Sequence, residues 1–309
     1  AILPHASAMA YGYFPLTAQS QKYLLQNVSK LTSPFLRGAA WICLYEDMLR
    51  YRLSVGELYL ALLEGILEEE DALNRNYLLG LTETIFWQFF TATERAQYGL
   101  ALETTLKKAY TRATDASAQL AYFRTYYRIG LSQEASAGLR QIWEDQQVTP
   151  ILALSETEAI DLTAELALRL PNEAQQLIET QLARTKNQDR KEELQFIQPA
   201  LSPEKEIRDS FFASLSLLEN RSTEPWVVAA VGYLHHPLRA SSSINYLHQS
   251  LVMMEEIQAT GDIFFPRQFI TATLGGHQSV AAAEIVNEFL EERPHYPPRF
   301  RHKILMAAD

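Results

Sequence analysis

Only 12 of the 309 residues are glycine. With so few positions free to adopt φ > 0, the chain has little of what two-residue hairpins and phosphate-binding loops require, and doubly wound or all-β folds become poor candidates. An all-α chain is the natural alternative. Hydrophobic residues at 47% and charged residues at 21% exclude a disordered or collagen-like chain. The length suits one large domain or two ordinary ones with a sizeable core.

Regular punctuation supports the helical reading. Ser54 with Glu57, Thr91 with Glu94 and Ser155 with Glu158 each fit the reciprocal capping box, which satisfies two orphan amides at a helix start. Ser202 before Pro203 reads as an N-cap followed by proline at the first helical position. Gly130 and Gly261 stand where a left-handed C-terminal cap is expected. Between these marks apolar residues recur at three and four, as in Leu36, Ala40, Trp41, Leu44 and Met48, or Leu162, Leu166 and Leu170, so each helix carries one buried stripe. Helices are predicted to begin near residues 19, 34, 55, 72, 92, 115, 132, 155, 172, 188, 203, 224, 242, 266, 279 and 298.

Helix pairs then repeat at roughly 35 to 40 residues, the range of HEAT-like and armadillo-like arrays. The predicted fold is an irregular α-α superhelix over residues 17–309, in which each pair buries its stripe against the next. No Pro, Gly or Ser-rich linker interrupts it, and the polar stretch 185–191 is short enough to be one turn between helices. Residues 1 to 14, A-I-L-P-H-A-S-A-M-A-Y-G-Y-F, differ: β-branched and aromatic residues surround a turn-like centre. A short β remnant is therefore expected at the N-terminus, with 1–16 the end of a preceding domain or a linker.

The formal net charge of −10 argues against a nucleic-acid or anionic-membrane surface, because both polyanions reward clustered Lys and Arg. Cys43 is the sole cysteine, so no intramolecular disulfide, cysteine zinc finger or iron–sulfur site is expected. The longest apolar stretches, around 58–67 and 226–234, are about half the roughly 18 to 20 residues a bilayer span needs. The chain opens on Ala1 with neither an initiator Met nor a secretory leader, and is read as a piece of a longer protein.

Chemistry-bearing motifs are scarce. The pair of histidines at i and i+4 with an intervening glutamate, which a zinc hydrolase helix carries, does not occur. His235 and His236 are adjacent, roughly 100° apart on a helix, and precede Pro237; they read as residues closing a helix C-terminus, not as metal ligands. His248 shares a face with Val252 and Glu255 but lacks a second half-site. Cys43, between Ile42 and Leu44, reads as a buried small hydrophobe. Neither a G-x-S-x-G elbow nor a Gly-rich phosphate loop is present, and Gly275-Gly276-His277 is too short to count as one. The acidic run Glu68, Glu69, Glu70, Asp71 straddles a predicted helix end and reads as a solvated terminus; a terpene-cyclase metal site needs carboxylates four apart on one face.

The remaining signal is cationic. Arg299 and Arg301, with Lys303, follow Tyr296-Pro297-Pro298; Arg239 follows His-His-Pro-Leu, and Arg267 follows Phe-Phe-Pro. On an acidic chain, arginines at helix starts and loops can hold a carboxylate, and a helix start is a place the dipole disfavours for them.

The stretch P-F-L-R-G-A-A-W-I-C-L-Y-E-D-M-L (34–49), preceded by Y-G-Y-F at 11–14, resembles the start of the C-terminal helical domain of the aminopeptidase N family of zinc metallopeptidases, with Arg37, Trp41 and Asp47 at the matching places. The likeness continues through S-A-Q-L-A-Y-F-R (117–124), N-Q-D-R-K-E-E-L (187–194), R-D-S-F-F-A-S-L (208–215) and T-G-D-I-F-F-P (260–266), and is nearest to bacterial members. Where family members carry Asn and Gly or Asp before the strand, this chain has His5, Ser7 and Ala8. The family's H-E-x-x-H helix and G-x-M-E-N loop are absent from these residues and would lie upstream.

The resemblance implies a parent enzyme that removes N-terminal residues from peptides with zinc held in its catalytic domain. This chain would contribute no catalytic residue, metal ligand or cofactor of its own. It would cap the active site, form the substrate chamber and contact the parent's catalytic domain and the peptide. Arg239, Arg267, Arg299 and Arg301 are the candidates for lining that channel. A soluble protein of the bacterial cytoplasm or periplasm is expected. The rival reading is a free-standing α-solenoid interaction module, and a helical enzyme of terpene-cyclase type comes third.

Overall fold

The computed structural model describes residues 2–4 and 12–308. Two compact units form, one of residues 1–138 and 147–153 and the other of residues 139–146 and 154–309.

The first unit holds helices α1 (Ala18–Asn27), α2 (Pro34–Leu49), α3 (Val55–Glu68), α4 (Ala72–Thr84), α5 (Ala92–Arg112) and α6 (Ala116–Ile129), and the start of α7 (Gln133–Asp145). Its strands β1 (Gln147–Thr149) and β2 (Leu152–Ala153) form a small antiparallel pair. The helix starts follow local side-chain chemistry. Ser33, Ser54, Asp71, Thr91 and Asp115 each accept a hydrogen bond from an amide in the first turn of the helix that follows. At Thr91 the capping box is complete, with Glu94 returning a bond to the Thr91 N–H at 2.8 Å.

Each helix here meets the one two places along as well as its neighbour: α1 with α3, α2 with α4, α3 with α5, α4 with α6. That is the stacking of helix hairpins on which the superhelix expectation rests. Trp41 on α2, fully buried, fits against Gly65 on α3, where a Cβ would lie 2.7 Å from the indole. Between α4 and α5 the segment Ile85–Phe89 forms a π-helical turn, closed by the Phe90 N–H on the Ile85 carbonyl at 3.0 Å.

The second unit continues from the rest of α7 through α8 (Glu156–Arg169), α9 (Ala174–Arg184), α10 (Gln188–Leu201), α11 (Lys205–Ser214), α12 (Glu224–Leu234), the one-turn α13 (Ala240–Ser243), α14 (Leu247–Thr260), α15 (Phe265–Leu274), α16 (Val280–Glu291) and α17 (Pro298–Ala308). The same stacking recurs: α8 meets α10, α10 meets α12, α14 meets α16 and α15 meets α17. One apolar cluster runs from Ile160 to Ile304 and includes Leu194, Val231, Leu251, Phe269 and Phe289, all essentially inaccessible. Trp143 anchors the near end by donating its indole N–H to Thr163 at 2.8 Å and Gln181 at 3.0 Å.

The described residues are all-α apart from the β1–β2 pair. Most of the N-terminal β expectation, including His5, Ser7, Ala8 and Tyr11, lies outside the described residues, and 12–16 carry no strand. Three local readings are corrected. Ser202 ends α10; α11 starts only at Lys205, after an N-cap at Glu204. Gly130 and Gly261 do follow helices, but with φ of −65° and −86°. At Gly261 the requirement is space, since a Cβ would lie 2.8 Å from the Ile257 carbonyl oxygen and 2.6 Å from the Phe265 ring.

Candidate functional site

The four arginines divide into two kinds. Arg239 lies in the turn after α12 and donates to the carbonyls of Ala200, Leu201 (2.7 Å) and Ser202 (3.1 Å). Arg208, on α11, adds bonds to Ser202 and Pro203 at 2.8 and 2.7 Å. Two guanidinium groups thus close the carbonyl end of α10, the end that favours cations. Burial, and then the neighbouring Arg208 charge, bring the Arg239 pKa down to about 10, which leaves it a cation at neutral pH. Arg301 reaches the Leu290 carbonyl near the end of α16 at 3.4 Å. Arg267 and Arg299 are exposed in the first turns of α15 and α17.

Sequence reading missed Arg208 as a member of this group, because its partners lie at the end of the preceding helix and nothing periodic links them.

A second constellation sits where α12 ends. His235 caps that helix, its N–H bonded to the Val231 carbonyl at 2.9 Å, but its ring turns inward and is 1% exposed. Its Nδ1 lies 2.8 Å from Nε2 of His277, in the turn between α15 and α16. The backbone of this turn is equally close: a Cβ on Gly276 would overlap the His235 carbonyl oxygen and lie 2.9 Å from its carbon. Only glycine fits there. His235 Nε2 is buried with no hydrogen-bond partner, and the Tyr246 ring stands edge-on at 6.0 Å.

Burial, followed by the influence of His277, pushes the His235 pKa down to about 3, and burial brings His277 down to about 4. Both imidazoles are therefore neutral at pH 7, sharing one hydrogen. His277, Gln278 and Ser279 supply polar atoms to a cavity of about 270 Å³ that is otherwise lined by apolar side chains of α15, α16 and α17. None of the four arginines lines it.

In the first unit, the residues that carry the family resemblance have structural partners. Arg37 forms a two-pronged ion pair with Glu69, at 2.6 and 2.8 Å, and also donates to the Leu31 carbonyl. Burial would raise the Glu69 carboxyl, but Arg37, the Asp71 N–H and Asn74 outweigh it and hold it below the usual carboxylate range. The acidic run is thus not simply a solvated terminus: Glu69 is buried, and Asp71 caps α4 through the amides of Leu73 and Asn74.

Asp47 is fully buried on α2 and accepts from the Tyr13 hydroxyl (2.6 Å), the Gln21 amide (2.6 Å) and the Leu16 N–H (3.2 Å), with Arg52 at 3.4 Å. Cys43 is buried as expected. His248 lies exposed with its ring 5.9 Å from that of Phe289.

No family model matches this chain, and neither does any curated protein. Among the described residues there is no group of three or more His, Cys, Asp or Glu side chains that could hold a metal ion, and the His235 and His277 imidazoles are bonded to each other. These residues do not fit a zinc centre. No helix of the described residues is long and apolar enough to cross a membrane.

Proposed function

We propose that this chain is the non-catalytic C-terminal helical part of a zinc aminopeptidase of the aminopeptidase N type. In this reading it covers the active site of the parent and forms the chamber through which peptides reach it. The zinc, its ligands and the general base belong to the preceding part. The observation that carries the reading is the Asp47 network: the residue that matches the family pattern on α2 holds the incoming segment by the Tyr13 hydroxyl and the Leu16 amide, fastening the entry of the helical domain.

Arg37 and Trp41, the other two matching positions, are likewise built into the packing of α2 against α3 and the turn after it. Arg267, Arg299 and Arg301 are all exposed; Arg267 and Arg299 would face the far carboxylate of a peptide, whereas Arg301 reaches the Leu290 carbonyl and Arg239 is engaged with carbonyls at the end of α10.

Two measurements test the proposal. The purified chain, assayed for metal by mass spectrometry and for cleavage of amino-acid anilides, should contain no stoichiometric zinc and show no turnover; zinc together with turnover overturns it. The coding sequence upstream of residue 1 should run through H-E-x-x-H in frame. Its absence there would favour the rival interaction module, which is supported by an open groove of about 380 Å³ lined by Phe35, Gly38, Ala39, Ile42, Leu73 and Asn74.

A further inference from the structure

The His235–His277 pair is unexplained by a lid or chamber role. It joins the end of α12 to the turn before α16 through one ring-to-ring hydrogen bond and one backbone contact at Gly276, and the same turn supplies the polar wall of the adjoining cavity. We propose that this pair is an acid-released latch: neutral rings hold the 275–279 turn against α12, and protonation frees the turn and opens the cavity beside it.

A hydrogen bond between two imidazoles needs one ring to donate and the other to accept through a lone pair. A first added proton creates a cation beside a ring that is 1% exposed, and a second removes the only acceptor. The groups around the pair offer no counter-charge. From the 3-10 turn before α14 it is met by the edge of Tyr246, whose hydroxyl is already donated to Asp209 at 2.6 Å. Asp209 is in turn paired with Lys205 at 2.6 Å. The charged side chains of α11 and the turn after α12 include the cations Arg208 and Arg239, both committed to carbonyls at and just beyond the end of α10. Thr273 on α15 donates to its own helix, and the α16 and α17 residues at the cavity are Val280, Ala282, Ala283, Val286 and Ala308. The depressed proton affinities of both rings agree with this lack of a carboxylate.

The sign follows. In the unfolded or opened turn both rings titrate near the ordinary value of about 6.5, while in the closed turn they stay neutral to about 4 or below. Closure is favoured fully above about pH 6.5 and is progressively lost as the pH falls from there toward 4.

Hydrogen exchange on the intact chain tests this. Amides 275–283, corrected for intrinsic exchange rate, should lose about tenfold or more of their protection between pH 7.5 and 5.0, while those of α3 keep theirs. In His277→Gln, which leaves His235 as the one titrating ring of the pair, the loss of protection of the same amides between the two pH values should shrink. Unchanged protection in the native chain, or an undiminished pH effect in the variant, overturns the latch. Ring nitrogen shifts of the native chain give a readout that needs no variant: both imidazoles should remain neutral from pH 7.5 to 5.5, and titration of either ring near 6.5 overturns it equally.

Discussion

The Tyr13 hydroxyl donates to the buried Asp47 carboxylate at 2.6 Å, across 34 residues of sequence. That carboxylate gathers a backbone amide, a side-chain amide and a guanidinium as well, so its removal strands several donors at once. Asp47→Ala should cost about 3 kcal/mol or more of unfolding free energy in urea titration. Tyr13→Phe should cost measurably less, since three partners remain. Equal stability of Asp47→Ala and the native chain would contradict the network.

Arg37 and Glu69 form a pair whose members are both well covered, at 12% and 2% side-chain exposure. Arg37→Met leaves a buried carboxylate with only Asn74 and the Asp71 amide, and a loss of about 3 kcal/mol is expected. Raising the salt concentration should leave the native pair largely unaffected, unlike an exposed pair such as Lys107–Glu134. Thermal unfolding of the variants over a salt series checks both statements.

Gly276→Ala forces its added Cβ against the His235 carbonyl and should either prevent folding of the second unit or cost about 4 kcal/mol or more. Gly80 and Gly232, inside α4 and α12, have nothing within 4 Å of an added Cβ. Alanine at either should stabilise by about 0.5 to 1 kcal/mol. A tolerated Gly276→Ala would mean that the turn is not pressed on the helix end.

Acid should weaken the fold in two stages. His235 and His277, with folded pKa values of about 3 and about 4, bind protons more readily when unfolded, so the urea midpoint should begin to fall below pH 6.5. Glu69, held low chiefly by Arg37 against the opposing effect of burial, adds its loss only as the pH drops below the ordinary carboxylate value. A midpoint that stays level from pH 7.5 to 5 would contradict the first stage.

Arg239→Ala and Arg208→Ala should each destabilise, because the α10 carbonyls lose a buried donor, by about 1 to 3 kcal/mol. Arg267→Ala and Arg299→Ala should change stability by less than about 0.5 kcal/mol. If the chamber reading is right, these two surface changes raise KM for peptides in the parent enzyme more than they alter its kcat. A large stability loss from either would place it in the fold instead.

Helix starts were the most legible part of the sequence. Predicted beginnings near 34, 55, 72, 92 and 188 coincide with observed ones, since an N-cap is written in one or two adjacent side chains; those near 224 and 298 coincide where a proline stands in the first turn. Reading failed where a distant group decides the outcome. Ser202 resembles a cap, yet Arg208 and Arg239 make its carbonyl the end of α10. One helix predicted near 242 resolved into the short α13 and the longer α14, with a tight 3-10 turn between them. The histidine pair joins residues 42 apart, and no period or spacing rule connects them. Gly276 was the available signal, but a glycine required for space looks the same in sequence as one required for handedness.

The division into two compact units falls within α7 and is not sequential: the first unit takes residues up to 138 and then 147–153, after the chain has supplied 139–146 to the second. During synthesis the first unit therefore lacks its closing strands until residue 153 has cleared the ribosome, by which time the second has already begun. A truncation after α7 would leave an incomplete first unit together with an orphaned opening turn of the other.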